Sequence, residues 1–145
     1  MAFPEPFPGL VIRYAYLWRR EFLQGREEGV KDRPCAILLT VSDAEGDRRV
    51  VVLPITHSPP KDPALAVEIP AATKRRLGLD GERSWIILTE SNRFVWPGPD
   101  LRPLTPGEPT SVVHGELPRA LFEQMREKWL ALFAERKTQG VERTE

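Results

Sequence analysis

Two stretches of the chain hold residue types that could do chemistry: Lys31-Asp32-Arg33-Pro34-Cys35 and Pro54-Ile55-Thr56-His57-Ser58. The first sits where a polar loop enters an apolar run, and the second where the next apolar run ends. A hairpin between the runs brings both to one end of the fold. Arg33 offers a planar fork of donors suited to a phosphate. The Thr56 hydroxyl can both donate and accept, and His57 changes charge near neutral pH. Each has a structural alternative: Arg33 pairs with Asp32 or Glu28 on a solvated loop, Thr56 merely ends a strand, and His57 is structural. Lys31, Glu90, Arg93 and Trp96 are further candidates for catalysis or ligand binding. The alternatives are a surface pair between Glu90 and Arg93, and a Trp96 that anchors the proline-rich loop after it instead of stacking a base. His114 reads as structural, and Lys74-Arg75-Arg76 as a solvated helix face with phosphate binding second.

The elements that must position these residues are mostly strands. Residues 9–22 are rich in β-branched and aromatic side chains and predict a first strand, followed by a polar loop over 24–34 with two glycines and a closing proline. Cys35 to Val41 and Arg49 to Thr56 are nearly continuous in apolar residues, which places them at the centre of a sheet; Ser42 to Asp47 has hairpin-loop chemistry. Leu65 to Ile69 and Ser84 to Thr89 predict further strands, with a short helix between Pro70 and Gly78. Prolines at 97, 99, 103, 106 and 109 exclude regular structure from the loop they punctuate. A last strand over 111–115 precedes a helix opened by Pro118, on which Leu121, Phe122, Met125, Trp129, Leu132 and Phe133 share one face. The tail from Val141 to Glu145 is expected to fray. The whole predicts one domain over 1–145, core about 9–138. Its expected class is mainly β with helices (α+β): a small, strongly bent antiparallel barrel with an amphipathic C-terminal helix.

Composition narrows the function classes. The chain has 145 residues, 21 basic and 21 acidic side chains and no net charge, so no global field draws it to nucleic acid or anionic lipid, and any nucleic-acid site must be local. Cys35 is the only cysteine, which excludes an internal disulfide, a thiolate zinc cluster and a CxxC redox pair. It is expected to be a buried structural thiol. No apolar run approaches the length of a membrane span and the N-terminal residues lack a secretory pattern, so a cytoplasmic location without membrane contact is expected.

Arg33-Pro34 entering the second strand and Pro54-Ile55-Thr56 ending the third resemble the two best-known sequence marks of the PemK/MazF toxin family. Gly9-Leu10-Val11-Ile12 resembles its opening strand, and the glycine-bearing loop before Arg33 occupies the expected place. The resemblance implies an SH3-like barrel of the CcdB/PemK kind. It also implies a metal-independent endoribonuclease without cofactor that cleaves single-stranded RNA and is silenced by a cognate antitoxin; the apolar stripe from Leu121 to Phe133, with Trp18 or Trp96, separately predicts a homodimer that hides it. In such cleavage the ribose 2′-hydroxyl attacks the adjacent phosphorus, so the site must move a proton and stabilise charge on the phosphoryl oxygens. Arg33 and Thr56 carry over as catalytic residues. Some members carry Arg-x-Asp on the strand matching Ile86 to Arg93; here the arginine position holds Leu88 and the acid position Glu90, with Arg93 or His57 as candidate replacements. The alternative function is a non-catalytic interaction or nucleic-acid-binding module that inhibits growth through a protein or DNA target.

Overall fold

A computed structural model describes residues 2–27, 29 and 31–143. Glu28, one of the two expected partners of Arg33, lies outside the described residues, as do Val30 of the polar loop and Thr144 and Glu145 of the tail. The chain opens with β1 (Leu10–Tyr14) and a short helix α1 (Arg19–Leu23), so the aromatic segment expected as one strand is a strand followed by a helical turn. The hairpin of β2 (Arg33–Ser42) and β3 (Arg48–Thr56) follows, then β4 (Ala66–Glu68), α2 (Ala71–Arg76) and β5 (Trp85–Ile87). Next come β6 (Glu90–Trp96), β7 (Val113–Glu116), α3 (Arg119–Ala134) and β8 (Gln139–Glu142). No helix among the described residues is long and apolar enough to cross a membrane.

The expected barrel is not formed. The eight strands make an open, mixed sheet with the path β4-β5-β3-β2-β1-β7, and β6 branches from β3 to pair with β8. β8 runs parallel to β6, with Glu90 opposite Gln139 and Arg93 opposite Glu142, which also corrects the expectation of a purely antiparallel sheet. β3 is the hub. Its first half, Arg48 to Val52, pairs with β6, while Ile55 and Thr56 pair with β5, so the sheet divides along β3 instead of closing on itself.

The physical reason is burial on both faces. Strands of a small barrel alternate between a packed interior and solvent, whereas these strands alternate between two apolar clusters. Val11, Ala36, Leu38, Leu53 and Ile55 face the cluster covered by Leu121, Met125 and Leu132 of α3. Ile12, Tyr14, Cys35, Ile37, Val50 and Val52 face the other, closed by Tyr16, Phe94, Leu101 and Val112. Near-continuous apolar runs are what two-sided burial demands. The helix α3 packs on the sheet through the face read from its sequence, although Phe133 at the end of that face stays 59% exposed.

The tail is ordered through Arg143, contrary to expectation. Val141 and Arg143 are buried. The Arg143 guanidinium pairs with Asp100 at 2.9 Å and donates to the Ala15 carbonyl at 2.8 Å and to Asn92 Oδ1 at 3.0 Å. Cys35 is fully buried, and burial pushes its thiol well above the ordinary range, which makes it an unreactive core residue.

Candidate functional site

An open cavity of about 770 Å³ lies where β2 begins and β3 ends. The β2–β3 register sets Cys35 opposite Pro54, so Arg33 and Thr56 arrive at the same end. The cavity is lined by Lys31, Arg33, Thr56, His57 and Glu90 among the residues selected from the sequence. Arg93 and Trp96 are not in it. Arg93 pairs with Glu142 on β8 at 3.1 Å and borders a different groove. Trp96 donates from Nε1 to the Pro4 carbonyl at 3.0 Å and leans on Phe94, tying down the N-terminal segment.

Arg33 is not the solvated loop residue of its structural alternative. It is half-buried at the first position of β2, and Asp32 turns instead toward Arg13 at 3.7 Å and Arg102 at 3.4 Å. The Arg33 guanidinium lies 4.9 Å from the centre of the Trp18 ring and donates from Nη1 to the Ile55 carbonyl at 3.4 Å. Its Nε is buried and has no hydrogen-bond partner among the described residues. Burial pulls the guanidinium below the ordinary arginine value, though it remains a cation. A buried, incompletely satisfied guanidinium is costly.

Glu90 opens β6 and is half-buried. Its Oε1 accepts from the Tyr16 hydroxyl at 3.0 Å and from the Arg19 backbone N–H at 2.9 Å. Burial pushes the carboxyl above the usual glutamate range and outweighs the opposing pull of these hydrogen bonds. Burial and the neighbouring Glu90 charge also drive the Tyr16 hydroxyl well up. A carboxyl raised toward neutrality beside a cavity is suited to taking a proton. The expected surface pair between Glu90 and Arg93 does not exist, because successive residues of a strand point to opposite faces and these two are three apart.

Thr56 Oγ1 accepts from the Ser58 N–H at 3.2 Å, which forms a local turn and leaves the hydroxyl proton to donate. His57 Nε2 lies 2.7 Å from Asp80 Oδ2, and Nδ1 lies 3.6 Å from Glu82 Oε2. Lys74 is buried whereas Arg75 and Arg76 are exposed, so the solvated face expected for the basic cluster holds for the two arginines and not for Lys74. His114 also borders the cavity, half-buried, and burial lowers its pKa.

Sequence reasoning missed Trp18, Lys74 and Asp80, all of which line the cavity. Trp18 sits at the end of an aromatic run read as a strand. Lys74 was hidden in a basic cluster, and Asp80, in Leu79-Asp80-Gly81, has only the signature of a turn.

No protein-family model matches the chain, and no curated protein matches it. The resemblance to PemK/MazF toxins therefore rests on the sequence marks alone, Gly9-Leu10-Val11-Ile12, the glycine-bearing loop, Arg33-Pro34, Pro54-Ile55-Thr56 and their order, and the barrel it implied is not the fold of this chain.

Proposed function

We propose that the chain is an endoribonuclease that cleaves single-stranded RNA through the ribose 2′-hydroxyl without a metal. The observation that carries the reading is the Arg33 guanidinium, half-buried with Nε unpartnered among the described residues, in the same cavity as the proton-affine carboxyl of Glu90. In this reaction Glu90 removes the 2′-hydroxyl proton, the 2′-oxygen bonds to phosphorus, and the bond to the 5′-oxygen breaks. Arg33 stabilises charge on the phosphoryl oxygens, Thr56 donates to one of them, and Lys31 holds the flanking backbone. His57 supplies the proton to the departing oxygen. Leu88, at the family's arginine position, is fully buried and takes no part; the charge-stabilising role falls to Arg33. A toxin neutralised by a small antitoxin is the biological setting that the sequence resemblance suggests.

The test is incubation of purified protein with single-stranded RNA in EDTA. The expected products carry a 2′,3′-cyclic phosphate and a 5′-hydroxyl, and Arg33→Ala loses activity by about 10²-fold or more while remaining folded. Intact RNA across many substrates overturns the reading.

One observation favours the second reading, a non-catalytic module acting through a protein target. A groove of about 540 Å³ runs between α3 and β2, β3 and β6, bordered by Leu39, Val41, Trp129 and Phe133, with Arg49, Arg93 and Glu142 along it. Val41 and Phe133 are 53% and 59% exposed, more apolar surface in one place than scattered side chains account for. A second copy of the chain or an antitoxin segment would cover it. Light scattering at micromolar concentration distinguishes the homodimer from the monomer.

A further inference from the structure

We infer that Asp80, gripped by Lys74, is a positioning residue that holds His57 in the one orientation from which it protonates the departing 5′-oxygen. The inference rests on the nuclease reading.

The chain of contacts starts in the interior. Lys74 on α2 is only 4% exposed, and an ammonium so buried needs acceptors for all three of its protons. Its Nζ donates to Asp80 Oδ1 at 2.6 Å, to Ser84 Oγ at 2.6 Å and to the Glu82 carbonyl. Asp80 Oδ1 also accepts from the Glu82 N–H at 3.1 Å, so this oxygen is held from two sides. The hydrogen bond from Lys74, ahead of every other influence, keeps the Asp80 carboxyl below its ordinary range. It is therefore a carboxylate near neutral pH.

The second oxygen of Asp80 meets His57 Nε2 at 2.7 Å. A carboxylate at Nε2 requires the proton on that nitrogen, which makes Nδ1 the nitrogen that exchanges protons with substrate. Nδ1 is 3.6 Å from the exposed Glu82 carboxylate, too far for a hydrogen bond, and the imidazole lies along the cavity wall one residue beyond Thr56. The charged groups that face the ring are Asp80 and Glu82 from the turn after α2, with Lys74 acting through Asp80. His57, Asp80 and Glu82 include the donor types of a metal site. The Lys74 ammonium on Asp80 already supplies the positive charge that a cation would bring.

The step balances within the groups named. The bond from 2′-oxygen to phosphorus forms and the bond from phosphorus to 5′-oxygen breaks. Glu90 gains the 2′-hydroxyl proton, and the imidazolium gives its Nδ1 proton to the 5′-oxygen. Return of a proton from Glu90 to His57 through solvent resets the site.

The experiment compares wild type, Asp80→Asn, His57→Ala and the double variant on one RNA in EDTA. Asp80→Asn is expected to lower kcat by about 10- to 100-fold with KM nearly unchanged, and to shift the descending limb of the pH profile. The double variant is expected to be no slower than His57→Ala, because Asp80 acts only through the imidazole. Losses that multiply in the double variant, or an Asp80→Asn enzyme within twofold of wild type, overturn the inference and leave the nuclease reading standing. Where Asp80→Asn does not fold, the imidazole ¹⁵N spectrum of the wild type decides. A neutral His57 protonated at Nε2 supports the inference, and one protonated at Nδ1 overturns it. A wild type inactive with and without metal ions removes the nuclease reading and this inference with it, and activity lost in EDTA but restored by zinc assigns His57 to a metal instead.

Discussion

Asn92 clasps the backbone of Leu17 at both ends of its carboxamide: Oδ1 accepts from the Leu17 N–H at 2.9 Å, and Nδ2 donates to the Leu17 carbonyl at 2.8 Å. The residue after Leu17 is Trp18, whose ring receives Arg33. Asn92 is fully buried, so it pairs an irregular segment with β6 where no strand could, and its oxygen also receives Arg143. Asn92→Leu leaves the two backbone groups of Leu17 without their partner and takes one acceptor from the Arg143 guanidinium. We expect a loss of about 2–4 kcal/mol in urea unfolding, with m unchanged.

Arg143→Ala is expected to cost about 3–5 kcal/mol, because it breaks the buried pair with Asp100 and takes a donor from the Ala15 carbonyl and Asn92 Oδ1. Arg119→Ala provides the contrast. Its 3.0 Å pair with Glu123 is an exposed i,i+4 contact on α3, and its loss should change stability by less than about 0.5 kcal/mol. Equal effects in the two variants would show the tail to be only loosely attached in solution.

Glu90 gives a pH dependence of definite sign. Its carboxyl is raised in the fold, so between the ordinary glutamate value and the raised one the folded protein holds a proton that the unfolded chain has released. Stability therefore falls as pH climbs through that window. Glu90→Gln keeps an acceptor for Tyr16 and Arg19, and denaturation at a series of pH values should show the decline removed. The same substitution should abolish the ascending limb of the cleavage profile.

Gly29→Ala tests the loop that delivers Lys31 and Arg33. A Cβ at this position would collide with the carbonyl of Tyr16, a backbone atom that cannot swing aside. We expect the loop to be displaced, with loss of RNA cleavage exceeding any loss of stability. Limited proteolysis should then cut within 24–31 faster than in wild type.

Arg33→Lys separates geometry from charge. A lysine retains the cation but not the planar fork, and it stacks poorly on Trp18. Activity is expected to stay within tenfold of Arg33→Ala, and Trp18→Ala should weaken RNA binding with a smaller effect on turnover.

The hairpin of β2 and β3, the helices after Pro70 and Pro118, and the meeting of Arg33 with Thr56 and His57 were legible, because each depends on neighbours close in sequence. What the sequence concealed depends on distant contacts. The alternation of Cys35 to Leu38 between two faces cannot be distinguished from a single buried face by composition, which is why the sequence predicts a barrel where the sheet is open. β6 was hidden because its apolar residues, Phe94 and Trp96, adjoin a proline-rich loop, and its first residues are Glu90, Ser91 and Asn92. Gln139-Gly140-Val141-Glu142 has little strand propensity of its own and is a strand because β6 offers it an edge. Lys74 and Asp80 were unreadable for a related reason: a buried lysine and a surface one look alike until the acceptors are placed.

The parallel strand β8 also imposes an order of assembly in time. Arg143 stands 128 positions after the Ala15 carbonyl that it grips and 51 after Asn92. At about 5–20 residues per second, a ribosome needs roughly 3–10 s to travel from Asn92 to Arg143. Throughout that interval the segment bearing Trp18 is without its guanidinium support, and the emerging chain presents the bare edge of β6. A growing chain of this protein therefore has Arg33, Thr56 and His57 outside the ribosome before it has the means to hold them in place, and the proposed site waits on β8.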